Sequence, residues 1–226
     1  MQLSARVIAL TKPLSETNLE DTEQLMAFCA RVSNPSNQDN YETAEKLLRY
    51  CMKHKHWSVF EMANAVVAIE APRDITRQLL RHRSFSFQEF SQRYSSEIEM
   101  TERSFRKQDK TNRQNSTPDL PPAAMKRALD YSWKIAETTR AAYRSMIKDE
   151  VAKECARVVL PEGLTMSSLY VNGTLRSWLH YLDVRDCENV TQWEHVILAR
   201  EIKKVLIPHF PMLFKPTKST DTIGPI

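Results

Sequence analysis

Arg81-His82-Arg83-Ser84-Phe85-Ser86-Phe87-Gln88-Glu89-Phe90-Ser91-Gln92-Arg93-Tyr94 decides how this chain is read. Three arginines, a histidine, a carboxylate and several hydroxyls share these fourteen residues, with aromatic rings between them. A solvated charged turn would account for Arg81-His82-Arg83 alone. It does not account for Ser86, Glu89, Ser91, Arg93 and Tyr94 behind it. Guanidinium forks pair bidentately with phosphate, and serine hydroxyls or backbone amides complete such a cradle. The run is therefore expected to hold something anionic and flat, such as a nucleotide or a flavin, with Glu89 suited to accept from a ribose hydroxyl.

Reading outward from this run gives the fold. Upstream, residues 5–10 suit a strand, and residues 20–31 and 42–53 suit helices, the second with Ala44, Leu47, Leu48 and Cys51 on one stripe. Val66-Val67-Ala68-Ile69 predicts a buried strand over 63–71, closed by Pro72. Asp74 is expected to cap a following helix that contains Ile75, Leu79 and Leu80. That helix would present Arg81-His82-Arg83 at its C-terminal end, where the macrodipole favours cations. Downstream, residues 101–122 predict a long exposed loop. Residues 125–151 predict the strongest helix, with Met125, Leu129, Ala136, Tyr143 and Met146 facing the core. A further helix carries Trp193, Val196, Ile197, Ile202, Val205 and Leu206 and stops at Pro208. Trp133, Trp178 and Trp193 are expected to pack. The order of elements predicts an α+β class: a single domain over residues 1–226, with a mixed or antiparallel sheet packed by long helices.

Composition narrows the function classes. The chain has 226 residues and a net charge of +4, mild for a protein that coats nucleic acid. Yet Arg73, Arg77, Arg81, Arg83 and Arg93 lie within twenty-one residues, a local field suited to small phosphate-bearing ligands. The first of only three glycines is Gly163, which excludes a Rossmann or Walker A loop upstream of it. Side chains must therefore replace glycine-loop amides. No stretch approaches the roughly 20 apolar residues of a membrane span. Without a secretory pattern, Cys29, Cys51, Cys155 and Cys187 are expected to be free thiols in a reducing cytoplasm. His54 and His56 lack a third ligand at usable spacing, so no metal is expected. The rival reading is a non-catalytic nucleic-acid-binding protein, with Phe85, Phe87 and Phe90 stacking bases. The mild charge and Glu89 within the strip oppose it.

The segment resembles the signature of the flavin-dependent thymidylate synthases, Arg-His-Arg, two residues, Ser, then a segment ending Ser-x-Arg-Tyr. Arg81, His82, Arg83, Ser86, Glu89, Ser91, Arg93 and Tyr94 fit it. The resemblance extends to Ala30–Ser33, His56–Glu61, Arg77–Leu80, Ala156–Pro161, Thr174–His180 and Leu182–Arg185, and covers roughly Ser33 to Phe214 with the 101–122 loop unmatched. It implies reductive methylation of dUMP to dTMP, with methylenetetrahydrofolate as one-carbon donor and NADPH as reductant through bound FAD. It implies a homotetramer with active sites shared between subunits, and no nucleic-acid or membrane partner. Gln78, Leu79, Leu80, Arg81, Glu89, Phe90, Ser91, Gln92, Arg93, Arg157 and Arg185 would surround dUMP, with Ser91–Arg93 gripping the phosphate. Arg185 would be the catalytic residue, stabilising negative charge on the uracil ring. Ser33, His56, Ser58, Glu61, Arg81, His82, Arg83, Glu89, Thr174, Leu175, Arg176 and His180 would line FAD. Ser91 has only arginine neighbours and no adjacent base, so it reads as a ligand and not a nucleophile. Gln88, Thr174 and Met62 depart from the family pattern, on the flavin side.

Overall fold

Alternation along two strands sets the sheet. In the computed structural model, which describes residues 3–215, β2 (Asn64–Pro72) turns Ala65, Val67, Ile69 and Ala71 to one buried face. β6 (Met166–Thr174) runs antiparallel to it, from Asn64↔Thr174 to Pro72↔Met166, and buries Ser167, Leu169, Val171 and Gly173. β1 (Ser4–Leu10) pairs with the other side of β2, with an irregularity between Val7 and Ala9. β3 (Ser86–Glu89), cut from the arginine-rich run, pairs with β6 from Ser86↔Asn172 to Glu89↔Leu169. The order is β1-β2-β6-β3 and every pair is antiparallel. Of the two sheet types anticipated, the structure has the antiparallel one.

Helices cover one face. α1 (Thr22–Ala30), α2 (Ala44–Lys53), α6 (Leu175–Arg185), α7 (Trp193–Leu206) and α8 (Pro211–Phe214) bring Met26, Leu48, Trp178, Leu198, Ile202 and Leu213 into one core with the strand residues. Trp178 is fully buried and donates its indole N–H to the Ala65 carbonyl at 3.2 Å. Gly173 is required by its neighbour. A Cβ there would lie 2.2 Å from Cδ1 of Phe85. The bare backbone admits the Phe85 ring, which packs on Trp178 with centroids 4.5 Å apart. That contact pins the arginine-rich run to the sheet.

Four expectations need correction. α3 (Arg73–Leu79) follows β2 without a side-chain cap, its first amide bonding to the Thr165 carbonyl at 2.9 Å. Asp74 does not cap it, because Arg103 takes both carboxylate oxygens at 2.8 and 3.0 Å. Residues 101–122 are not simply an exposed loop. They contain a short ribbon, β4 (Lys107–Gln108) with β5 (Ser116–Thr117), and they turn Arg103 and Arg106 inward. α4 (Pro122–Lys148) has the predicted length of a long helix, but Tyr143 is its only buried residue. Its main packing is on α5 (Lys153–Ala156) and the turn at 157–159, and only its C-terminal part, with Tyr143 and Ile147, faces the ends of β2 and β6 across a cavity. Trp133 stands 69% exposed on it, so of the three tryptophans expected to pack, this one does not pack within the chain.

Candidate functional site

The run from Arg81 to Tyr94 crosses the molecule along the edge of the sheet. Its two ends carry different chemistry. At the start, the α3 backbone closes in turns from Gln78 to Arg81 and from Leu79 to His82. Leu79 is buried in the core and Leu80 packs against it, so both hold the helix end in place. Arg81 and Arg83 stand exposed and form no ion pair among the described residues. His82 turns inward instead, its ring edge-on to Tyr181 at 5.2 Å.

Arg185, at the end of α6, donates from Nε to Nε2 of His82 at 2.9 Å. A donor on that nitrogen requires a free lone pair, so His82 is neutral. Its environment agrees: burial, the Arg185 charge and His180 push its pKa down to about 4. Among the described residues the two terminal nitrogens of Arg185 have no hydrogen-bond partner, and no carboxylate pairs with it. The result is a half-buried guanidinium, unneutralised, beside the neutral imidazole of His82. Burial also lowers the Arg185 pKa from its usual value. Such a group stabilises negative charge that develops next to it.

At the far end, Glu89 accepts from the buried Ser167 hydroxyl at 2.8 Å, leaving its second oxygen free among the described residues. The amide of Phe90 continues the pairing to the Ser168 carbonyl, and its ring is exposed. Ser91 closes a tight turn: its carbonyl accepts from the amides of Tyr94 and Ser95, and its hydroxyl accepts from the Arg93 amide at 3.3 Å. No base contacts that hydroxyl among the described residues. Gln92 is buried and accepts from Arg73 at 2.6 Å. Arg93 pairs with the Glu154 carboxylate at 3.1 Å, while Arg157 reaches the Glu154 carbonyl at 3.3 Å. Two guanidinium groups thus converge on one residue at the surface. Arg93 and Glu154 are both more than half exposed, so their pairing is easily exchanged for a phosphate.

The residues assigned to FAD by resemblance divide in the same way. A cavity of ≈ 520 Å³ is lined by Trp57, Glu61, Ser84, Arg176, His180 and Asp183, among others, and Glu61 is ion-paired with Arg176. Thr174 caps α6, its hydroxyl accepting from the Ser177 amide, and Leu175 is buried beneath. His180 lies 6.4 Å from His82, ring to ring. Ser58 is in the one-turn helix Trp57–Glu61. Ser33 lines a second cavity, with Arg31, Asn37 and Tyr50. His56 faces the Tyr50 ring at 5.9 Å. The residues that line the cavity suit FAD: the rings of Trp57 and His180, the cations of Lys55 and Arg176, and a volume inside the ~300–1,000 Å³ of small-ligand sites.

Reasoning from residue types missed a buried chain behind Gln78. His195 and Tyr181 are fully buried and lie 3.1 Å apart, Nε2 to hydroxyl. Nδ1 of His195 is 3.2 Å from the Gln78 carboxamide oxygen, and Gln78 donates to Gln192 at 2.7 Å. Gln192 donates to Glu194 at 3.0 Å. Burial pushes the Glu194 carboxyl up, but bonds from Arg106 outweigh that and hold it below the usual range. The one signal available was the Gln192-Trp193-Glu194-His195 run at the start of a helix, where polar residues interrupt an apolar stripe.

Taken together, an antiparallel α+β fold whose exposed arginines flank an unneutralised guanidinium defines a protein built to hold anionic ring systems. A family model described as thymidylate synthase complementing protein matches residues 14–212. The chain is 43% identical to the flavin-dependent thymidylate synthase of Synechocystis sp., over 92% of this chain and 96% of that one. It is also 43% identical to the "probable flavin-dependent thymidylate synthase" of Paramecium bursaria Chlorella virus 1, over 94% and 98%. The fold is shared with the UMP/dUMP methylase PolB of Streptomyces cacaoi in its complex with 5-Br dUMP, with a TM-score of 0.76, 21% identity, and 95% and 94% of the two chains covered. The chain belongs to the flavin-dependent thymidylate synthase family.

Proposed function

We propose that this protein catalyses the reductive methylation of dUMP to dTMP, with methylenetetrahydrofolate as one-carbon donor and NADPH as reductant. The observation that carries the reading is Arg185, fastened through Nε to neutral His82 with both terminal nitrogens free among the described residues. Bound FAD supplies the hydride chemistry; the protein supplies binding, orientation and electrostatics. Glu61, Thr174, Leu175, Arg176 and His180, with Ser33, His56 and Ser58, hold the cofactor. Arg81, His82, Arg83 and Glu89 complete that cradle. Gln78 and Arg185 face the pyrimidine, and Ser91, Gln92, Arg93 and Arg157 grip the phosphate. Arg185 stabilises the negative charge that builds on the ring as C5 becomes nucleophilic. An enzyme nucleophile is not required.

The pyrimidine group comes from α3 and the end of α6, and Ser91, Gln92 and Arg93 of the phosphate group follow the C-terminal end of β3. The cavity lined by Arg93 and Glu154 is separate from the one lined by Arg176 and His180. The family resemblance favours a homotetramer with shared sites, in which one nucleotide draws on groups from two chains. α4 exposes apolar side chains on two sides, Leu129 with Trp133 and Tyr131 with Ile135, and the Leu129–Trp133 side is a surface of the kind that association covers. Residues 1–226 then act as one domain of that assembly. Among the described residues no helix is long and apolar enough to cross a membrane. Separately, the four unpaired cysteines suit a reducing compartment, which favours a cytoplasmic enzyme. The test is anaerobic, with FAD-loaded protein, dUMP, NADPH and methylenetetrahydrofolate. Bleaching of the flavin band with dTMP formed supports the reading; bleaching without dTMP overturns it.

A further inference from the structure

Gln78 belongs to a hydrogen-bond chain whose direction is dictated at one end. The Glu194 carboxylate, bonded twice by Arg106 at 2.8 Å, can only accept. Gln192 must therefore point its amide nitrogen at Glu194, which leaves its oxygen to accept from Gln78. The Gln78 nitrogen is thereby placed toward Gln192 and its oxygen toward His195. That oxygen needs a donor, so His195 carries its proton on Nδ1 and presents the lone pair of Nε2 to the Tyr181 hydroxyl. Each member has one consistent assignment. Reversing the Gln78 amide would set nitrogen against N–H at His195 and oxygen against oxygen at Gln192.

We infer that His195 is a positioning residue that, together with Gln192 on the other side of Gln78, holds the order of donor and acceptor presented to the pyrimidine and so discriminates uracil from cytosine. The inference rests on the proposed placing of Gln78 at the base. After its two internal bonds, the carboxamide keeps one N–H and one lone pair. Uracil and cytosine differ in what positions 3 and 4 offer: N–H and carbonyl in one, lone pair and amino group in the other. A carboxamide free to turn over would serve either. One locked by Glu194 and His195 serves a single pattern, and a site left with a mismatched polar group rejects the wrong partner strongly. His195 is fully buried, and both of its ring nitrogens are spent on Tyr181 and Gln78, so it has no polar capacity left for any other role.

The inference is tested by titrating the FAD-loaded enzyme with dUMP and with dCMP by calorimetry, supplemented by turnover on dUMP. His195→Leu should lower the preference for dUMP over dCMP about tenfold, the scale of one lost hydrogen bond, and raise KM for dUMP more than it lowers kcat. His195→Asn, whose amide nitrogen stands near the place of Nδ1, should recover most of the preference. Should His195→Leu fail to fold, His195→Asn and Gln192→Leu carry the comparison, the second releasing the Gln78 nitrogen and loosening the preference in the same way. Gln78→Ala separates the two claims. If it leaves dUMP affinity unchanged, the placing of Gln78 at the base fails. If it weakens dUMP while His195→Leu and Gln192→Leu keep full discrimination, the positioning role is overturned.

Discussion

α7 and α4 both show the periodicity of an amphipathic helix, and they meet opposite fates. α7 buries seven of its fourteen residues, among them Leu198, Ala199 and Ile202, against the sheet and α6. α4 is twenty-seven residues long and buries Tyr143 alone. Periodicity reports that a face is to be covered; it says nothing of what covers it. α7 finds its cover inside the chain, against β1 and α6. α4 starts from Pro122 after the arginine-anchored ribbon and runs past the sheet, with Ile135 50% and Trp133 69% exposed.

Truncation on the covered helix should have the largest effect. Leu198→Ala removes a fully buried side chain and should cost about 2–5 kcal/mol in urea unfolding, independent of protein concentration. The buried helix also carries a titration that the exposed one lacks. Burial, with Arg185 and His82 nearby, pushes the His195 pKa down to about 3, whereas the unfolded chain titrates near 6.5. The unfolded state then binds more protons between those values, so stability is full above pH 6.5 and falls as pH drops toward 3. Between pH 7 and pH 5 His195 should contribute on the order of 2 kcal/mol of the loss, beside a share from His82, whose pKa is also pushed down, to about 4. His195→Asn should make that limb shallower without abolishing it when unfolding is followed across pH. The smallest effect on folding belongs to α4. Trp133→Glu should change the unfolding free energy of a single chain by no more than about 0.5 kcal/mol, as surface substitutions do. It should nonetheless lower the mass measured by light scattering. An unchanged mass would show that the α4 face is not a contact between chains.

β1 and β2 were legible because a strand signal is local: Val66 to Ile69 and the turn into α3 declare themselves within a few residues. β6 and β3 and the register among the strands went unread because pairing depends on residues distant in sequence. The arginine-rich run was legible because its composition suits few roles besides anion binding. Asp74 was misjudged as a cap because its partner, Arg103, lies twenty-nine residues away across a loop. His195 went unread because one histidine in an apolar helix looks like core packing until Tyr181 and Gln78 are seen on its two nitrogens. Gly173 illustrates the reverse case. Its place in a strand invites no comment until the Phe85 ring is found where a side chain would be.

The contrast between covered and uncovered surfaces bears on the central claim, that one active site is assembled from two chains. Arg185→Ala disables the pyrimidine end and Arg157→Ala the phosphate end, and each alone should be nearly inactive. Mixed assemblies, made by co-expressing the two variants, test the claim most directly through dTMP formation. Sites shared between chains predict that roughly a quarter of wild-type activity returns, since random mixing leaves that share of sites with both halves intact. Activity no greater than that of either variant alone, in assemblies shown to contain both, would contradict it and place the whole site within a single chain.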